Sequence, residues 1–268
     1  MNFKKYDNED FDPVSECSPL DMRMTSSPEN TYVLLALADN MRSTYPKYAL
    51  TYMEKIFSLH SNHVNVIVDQ NATKENFLRL FEEGCKWPFF MFYEFGHGHT
   101  RVFRMIDSLV YARDIYAILK TSQSRVLGFF DSCYSGSMID ADELMKARKP
   151  EDETGLDCTS MASYLTSMMQ RDQMMLKSSS EAVPAPVLKL YAAAADQKIC
   201  TYSPEMGTMY TDAIYRAWKQ TQGMRYKDFD ELLLKYGSYG PKDPAHVNHI
   251  VPQFSTFGPD FSSCLAFT

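Results

Sequence analysis

The chain contains, at residues 126–137, the stretch VLGFFDSCYSGS, in which a short apolar run leads directly into polar and small residues. Such an uninterrupted run is typical of a strand that is buried on both faces of a parallel sheet. It ends at Asp131-Ser132-Cys133, so that a carboxylate and a thiol follow the strand at once. In open α/β sheets, working residues lie just beyond the carboxyl ends of the strands. The stretch therefore predicts a parallel sheet and the edge where its chemistry lies.

The same arrangement recurs at residues 89–99, which read FFMFYEFGHGH. The apolar run predicts a strand over 89–95, and His97 follows it closely. If the two strands are neighbours in the sheet, His97 and Cys133 point into one crevice. A thiol needs a nearby base or cation to ionise at neutral pH, and an imidazole can act as that base. The two strand ends therefore predict a nucleophilic thiol paired with a general base.

Gly98 adds a candidate hydrogen-bond donor at the same edge. Because it has no side chain, its N–H can approach a substrate carbonyl closely. Together with the N–H of Cys133 it predicts an oxyanion hole. His99 competes with His97 for the role of base, but no glycine follows it, which favours a surface or substrate contact. Cys133 taken alone would more often be a buried, inert thiol, and its combination with His97 and the glycines favours the nucleophile.

The rest of the chain continues the alternation of strands and helices. Thr73 is the predicted N-cap of a helix that ends at Gly84. The predicted strands cover residues 32–38, 64–68, 89–95, 126–130, 187–193 and 249–254. The predicted helices cover residues 45–59, 74–84, 112–120, 209–221 and 228–236, and residues 100–110 are predicted to form a small hairpin or an irregular excursion. This order predicts an α/β protein, a three-layer αβα sandwich around a mostly parallel six-stranded sheet.

Two segments depart from this alternation. Residues 1–29 are polar and rich in turn-forming residues, which predicts a mobile N-terminal arm. Residues 138–186 hold charge clusters with many Met and Ser, and we interpret them as a long insertion. Structureless stretches of this length inside a domain are uncommon and often functional. The chain from residue 30 to residue 268 is predicted to form one domain that carries this insertion.

Composition and charge limit the classes of function. The formal net charge of -7 argues against a nucleic-acid binder, whose binding face is basic. The longest apolar runs, at 32–38 and 88–93, are far shorter than a membrane span, and the first residues do not resemble a signal peptide. The six cysteines are scattered without a CxxC pair, which argues against a zinc site and favours a cytoplasmic protein with reduced thiols.

A His-Gly pair at the end of one strand and Asp-x-Cys-x-x-Gly at the end of the next resemble the caspase, metacaspase and legumain group of cysteine peptidases (clan CD). The resemblance runs from about residue 32 to residue 257 and includes the long insertion. The stretch Asp131-Ser132-Cys133 is most similar to metacaspases and their bacterial caspase-like relatives, whereas caspases proper carry Gln-Ala-Cys. Ser135-Gly136-Ser137 resembles legumain-like members, so that relationship stays open. Phe95 stands where the family usually has Ser, a departure that affects the primary pocket.

The resemblance implies a caspase-like fold and a cysteine endopeptidase in which Cys133 attacks and His97 is the general base. It also implies that Asp131 lines the S1 pocket. A buried carboxylate there predicts cleavage after Arg or Lys, because such a charge needs a cationic partner. The alternative is a structural carboxylate satisfied by backbone N–H groups. Asp196 is a second candidate for the pocket, and Asp39 loosely matches an acidic residue that metacaspases place after their first strand.

The insertion at 138–186 lies where related enzymes carry the linker between their large and small subunits. An enzyme that cuts after Arg or Lys is predicted to process itself there, since the insertion contains Lys146, Arg148, Lys149, Arg171 and Lys177. The expected partners are protein or peptide substrates, without nucleic acid or membrane, and the oligomeric state stays open. The alternatives are a legumain-like peptidase with another P1 preference and a catalytically silent binding module with the same fold.

The sequence predicts no cofactor and no metal. The pairs His60/His63 and His246/His249 have spacings that a metal ion can use, but no carboxylate or thiol cluster completes either pair. Many metacaspases require calcium, yet the sequence shows no calcium loop, so calcium activation stays open.

Overall fold

The computed structural model describes residues 28–38, 45–122, 124–139, 187–192, 202–203, 207–221, 226–237 and 252–257. The predicted N-terminal arm lies outside these residues except for positions 28 and 29. The predicted insertion lies outside them except for positions 138 and 139. The division into arm, domain and insertion therefore stays a prediction.

The described elements follow one another as strands and helices with short connections. In chain order they are β1 (Thr31–Ala38), α1 (Tyr45–Phe57), β2 (His63–Val68), α2 (Lys74–Gly84), β3 (Phe89–Gly96), β4 (Gly98–His99), β5 (Val102–Arg104), β6 (Leu109–Tyr111), α3 (Ala112–Leu119), β7 (Arg125–Asp131), β8 (Val187–Ala192), β9 (Tyr202–Ser203), β10 (Gly207–Thr208), α4 (Met209–Gln220), α5 (Tyr226–Gly237) and β11 (Gln253–Phe257). Two 3-10 turns, Asp69–Asn71 and Ser135–Met138, follow β2 and β7.

The main sheet of the described chain has six strands in the order β11-β8-β7-β3-β1-β2. Neighbouring strands are parallel except for β11, which runs antiparallel to β8. Strand β1 has β2 on one side and β3 on the other, so the strand order reverses there. With helices on both faces, this is the predicted three-layer αβα sandwich, and the fold class is confirmed.

Strands β1, β3 and β7 are buried along nearly their whole length, which explains their uninterrupted apolar sequences. Successive residues of a strand point to opposite faces of the sheet. One face packs against α1, α4 and α5, and its core includes Val33, Leu35, Met91, Leu127 and Phe129. Each helix presents an apolar stripe to this face, so the layers are held by burial of apolar surface.

The opposite face is a stack of aromatic rings. Phe81 of α2 contacts Phe90 and Phe92 with ring centroids 5.0 Å apart in each case. Phe92 contacts Phe130 of β7 at 5.2 Å. These edge-to-face contacts have the geometry that the ring quadrupoles favour. A Cβ on Gly128 would overlap with the Phe92 ring, so the absence of a side chain there makes room for the stack.

Most predicted elements end within two residues of the observed bounds. Thr73 caps α2 as predicted, since its Oγ1 accepts a hydrogen bond from the N–H of Asn76 at 3.2 Å. The predicted hairpin at 100–110 is a small three-stranded antiparallel sheet, β4-β5-β6.

The last predicted strand, 249–254, needs a correction. The strand begins at Gln253, which pairs with Ala192, and extends to Phe257. Pro252 immediately precedes it and has no N–H to donate to a ladder, which explains the later start. Residues 249–251 lie outside the described part of the chain.

Candidate active site

His97 and Cys133 come from neighbouring parallel strands. The register of β3 and β7 pairs Phe95 with Asp131, and each of the two candidate residues lies two positions further on. Their positions are therefore adjacent at the carboxyl edge of the sheet. Cys133 is 6% exposed, whereas His97 is exposed to solvent. The two neighbouring positions thus hold a nearly buried thiol and an accessible imidazole.

Gly98 provides direct contact between the two strand ends. A Cβ on Gly98 would overlap with the carbonyl oxygen of Cys133 and lie 2.9 Å from the Cβ and Oγ of Ser132. The two segments approach this closely because residue 98 has no side chain. The backbones of both predicted oxyanion donors, Gly98 and Cys133, are therefore in contact, while their action on an oxyanion stays a prediction.

The hydrogen bonds of the β4–β5 ladder leave the N–H of Gly98 unused. Gly98 is paired with Phe103, and the next N–H along, that of Arg104, donates to the carbonyl of His97 at 2.8 Å. This pattern flanks a non-hydrogen-bonded antiparallel pair, whose N–H groups point away from the partner strand. The N–H of Gly98 is therefore directed away from β5, which suits a donor to a substrate.

Asp131 is held by three side-chain hydroxyls. Its Oδ2 accepts hydrogen bonds from Tyr93 at 2.7 Å, from Thr208 at 2.5 Å and from Thr211 at 2.9 Å. Burial raises the pKa of this carboxyl, while the three hydroxyls lower it. The hydroxyls come from β3 and from the start of α4, and backbone N–H groups take no part in these bonds. Oδ1 accepts none of the three.

Thr208 joins the start of α4 to the end of β7. It is the N-cap of α4, because its Oγ1 accepts the N–H of Thr211 at 2.8 Å, and it also donates to Asp131. Sequence reasoning missed Tyr93, Thr208 and Thr211 as neighbours of Asp131. The threonine before the helix is a recognisable cap signal, but nothing in its spacing indicates a carboxylate partner.

Glu94 is a second buried carboxyl that the sequence reasoning missed. It is 0% exposed and lies in β3 between two core residues. Burial raises its pKa well above the usual range, and the charges of Asp131 and Cys133 add to this effect. An acidic residue inside an otherwise apolar strand was the signal that could have found it, since such residues are almost never fully buried without a reason.

His99 lies against the residue that follows the thiol. Its ring is stacked on Tyr134 with centroids 5.1 Å apart. Tyr134 has a left-handed backbone with φ 57°, which costs a residue with a side chain roughly 1–2 kcal/mol. The turn is fastened because Ser137 Oγ donates to the carbonyl of Tyr134 at 2.7 Å and accepts the N–H of Arg101 at 2.6 Å. This geometry is compatible with the predicted surface or substrate role of His99.

The other predicted site residues, Asp39 and Asp196, lie outside the described residues, and their roles stay predictions. Within the described ranges, no three His, Cys, Asp or Glu side chains group closely enough to hold a metal ion. None of the helices in the same ranges combines the length and apolarity that a bilayer crossing needs.

Comparisons with known proteins identify the fold. No protein-family model matches the sequence, and no curated protein matches it significantly. The structure is similar to caspase-1 from Spodoptera frugiperda, with a TM-score of 0.57, 10% identity, and coverage of 86% of this chain and 88% of that chain. It is also similar to a structural genomics target from Geobacter sulfurreducens, with a TM-score of 0.54, 17% identity, and coverage of 88% and 97%. The chain therefore has a caspase-like fold. Structural similarity at these sequence identities shows the fold and not the activity.

Proposed function

We propose that the chain is a cysteine endopeptidase with Cys133 as nucleophile and His97 as general base. The observation that carries this proposal is the β3–β7 register, which brings the two residues to adjacent strand ends. The packing of Gly98 against the Cys133 carbonyl supports it, since it brings together the backbones of the two predicted donors. The caspase-like fold agrees with a thiol at this edge of the sheet.

Each group has a defined task in the proposed reaction. His97 takes the proton of the Cys133 thiol, and the thiolate attacks the carbonyl carbon of the scissile peptide. The carbonyl oxygen becomes an oxyanion that accepts hydrogen bonds from the N–H groups of Gly98 and Cys133. His97 then protonates the departing amine, and a water that gives its proton to His97 hydrolyses the thioester. The exposure of His97 leaves its imidazole accessible to the leaving group and to water.

The predicted P1 residue is Arg or Lys. Asp131 is a buried carboxylate two residues before the nucleophile, with Oδ2 held by hydroxyls and Oδ1 outside those bonds. Burial raises its pKa, so its charged form is under-stabilised without a substrate. A guanidinium or ammonium group would stabilise that charge through charge-assisted hydrogen bonds. A basic P1 side chain therefore gains from this environment, while an acidic one is repelled.

A panel of peptides that differ at P1 tests this specificity. We expect kcat/KM for P1 Arg or Lys to exceed that for P1 Asp or Asn by about 10- to 100-fold, the value of one or two charge-assisted hydrogen bonds. Asp131→Asn is expected to remove most of this preference, and urea unfolding of the variant checks that the hydroxyl cluster still folds. A wild-type preference for P1 Asp would contradict the proposal, and a preference for P1 Asn would favour the legumain-like alternative.

We also propose that the peptidase processes itself within residues 138–186. The proposal is supported by the basic residues of this segment together with the basic P1 preference argued above. In the active protein, this segment would then be cut after one or more of its Lys or Arg residues.

Gly98→Ala tests the contact between the two strand ends. The added Cβ overlaps with the Cys133 carbonyl, so the Gly98 N–H must move away from the oxyanion. We expect kcat/KM to fall by about 10²- to 10³-fold, the loss that follows removal of one oxyanion donor. Gly128→Ala is the matched control, because its Cβ overlaps with Phe92 in the core away from the thiol. The control should lower stability but not kcat/KM per folded molecule, and equal losses of kcat/KM in both variants would contradict the assignment.

A further inference from the structure

Glu94 is a fully buried acid whose side chain, by the alternation along β3, lies on the aromatic face of the sheet that packs against α2. It is in register with Ala36 of β1 and Phe130 of β7. Its strand neighbour Tyr93 points to the other face, where it bonds Asp131. The two carboxyls, Glu94 and Asp131, therefore lie on opposite sides of the sheet, both close to its carboxyl edge.

Gly96 gives the Glu94 carboxyl room to reach the strand end. A Cβ on Gly96 would lie 3.4 Å from Glu94 Oε1 and 3.2 Å from the carbonyl of Ala38. Gly96 and Ser132 each lie one position beyond Phe95 and Asp131, the last paired residues of β3 and β7, and Ser132 Oγ would lie 2.9 Å from a Cβ on Gly98. Glu94 and Ser132 thus lie close to the two chain segments that carry His97 and Cys133.

The surroundings of Glu94 raise the pKa of its carboxyl, with the exception of one neighbouring hydroxyl. Burial raises its pKa well above the usual range, and Asp131 and Cys133 raise it further. Ser132 is near enough to lower that pKa, although neither Ser132 Oγ nor the Glu94 oxygens make a hydrogen bond of standard geometry within the described residues. Ala36 and Ala38, which face it from β1, carry no ionisable group.

We propose that Glu94 is a positioning residue that acts on Cys133 through charge: uncharged, it permits the thiolate, and charged, it opposes it. Two negative charges in a buried region repel, so ionisation of either group disfavours ionisation of the other. Burial favours the uncharged form of Glu94, and beside that form Cys133 can give its proton to His97. The inference rests on the proposed function, in which the Cys133 thiolate attacks the substrate.

The test is the pH profile of Cys133 alkylation by iodoacetamide in the full chain, followed by mass spectrometry between about pH 5 and pH 10. In the wild type, competition between Glu94 and Cys133 should spread the titration over a wider range than a single group gives. Glu94→Gln should narrow it and lower its midpoint by about one pH unit, because the coupling of Cys133 to Glu94 is removed. Glu75→Gln, which alters an exposed glutamate of α2, is the matched control and should leave the profile unchanged.

Ser132→Ala provides a second, independent variant. Its hydroxyl favours the charged form of Glu94, so its removal keeps Glu94 uncharged to higher pH. The Cys133 midpoint should therefore fall, as in Glu94→Gln but by less. The inference would be overturned if the wild-type and Glu94→Gln profiles superimposed, or if the midpoint rose in either variant. A side chain that merely fills space would leave the Cys133 midpoint unchanged when it is replaced.

This readout separates the inference from the proposed function, because alkylation needs no peptide turnover. If no peptide is cleaved but Glu94→Gln shifts the profile, the coupling to Cys133 stands and the peptidase assignment fails. If peptides are cleaved and the profiles superimpose, the peptidase assignment stands and the role of Glu94 fails.

Discussion

Replacing Cys133 by Ala is expected to lower kcat/KM for a peptide with basic P1 by about 10⁴-fold or more. The sulfur of Cys133 forms the bond to the acyl group, and the methyl group of alanine cannot replace it. Ser132 and Ser135 are the nearest serine hydroxyls along the chain, but neither follows β7 at the position that corresponds to His97 after β3. The measurement is kcat/KM together with labelling by an electrophilic Arg- or Lys-based probe.

Cys85→Ala is the matched control for loss of a buried thiol. Cys85 ends α2 on the aromatic side of the sheet, and burial raises the pKa of its thiol to about 12, so it is inert at neutral pH. This variant should keep both activity and probe labelling. If the wild type gives no adduct at Cys133 under reducing conditions, with and without calcium, the chain is better explained as a catalytically silent binding module.

The Cys133→Ala variant also tests self-processing. Wild-type protein incubated alone should yield fragments that end at a basic residue within 138–186, while Cys133→Ala should stay intact. Addition of a trace of wild type to the variant distinguishes cutting between molecules from cutting within one. A wild type that remains intact while fully active would show that processing is not required.

The fold could be predicted because its signals are local. Buried parallel strands need continuous apolar runs, as at 89–95 and 126–130. The start of the helix after Thr73 is indicated by the capping side chain of that threonine. Where the local signal was ambiguous, the predicted boundary was wrong. The strand expected at 249–254 begins at Gln253, because pairing with β8 and the missing N–H of Pro252 decide the boundary.

The candidate pair His97 and Cys133 could be proposed because strand ends gather at one edge of a parallel sheet. The surroundings of Asp131 could not, because its partners Tyr93, Thr208 and Thr211 are 38, 77 and 80 positions away in the chain. Whether a carboxylate meets hydroxyls, backbone N–H groups or a cation depends on how α4 packs on the sheet. Periodicity along the sequence carries no information about that packing.

Replacing His97 by Ala is expected to lower kcat/KM by about 10²- to 10⁴-fold, the range over which a positioned general acid–base acts. His99→Ala is the matched control, since it removes an imidazole two residues away. His99 is paired with Val102 in β4 and stacked on Tyr134, so its loss should weaken the turn after Cys133 by about 0.5–1.5 kcal/mol, or about tenfold at most in kcat/KM.

The comparison of the two variants decides which imidazole is the base. The proton that His97 takes from Cys133 must reach the leaving amine, so His97→Ala should lower kcat/KM far more than His99→Ala does. A larger loss in His99→Ala than in His97→Ala, with both variants folded, would assign the base to His99. The register argues for His97, because it lies two residues beyond Phe95 just as Cys133 lies two beyond Asp131. His99 is stacked on the ring of Tyr134, a contact that orients the turn after Cys133.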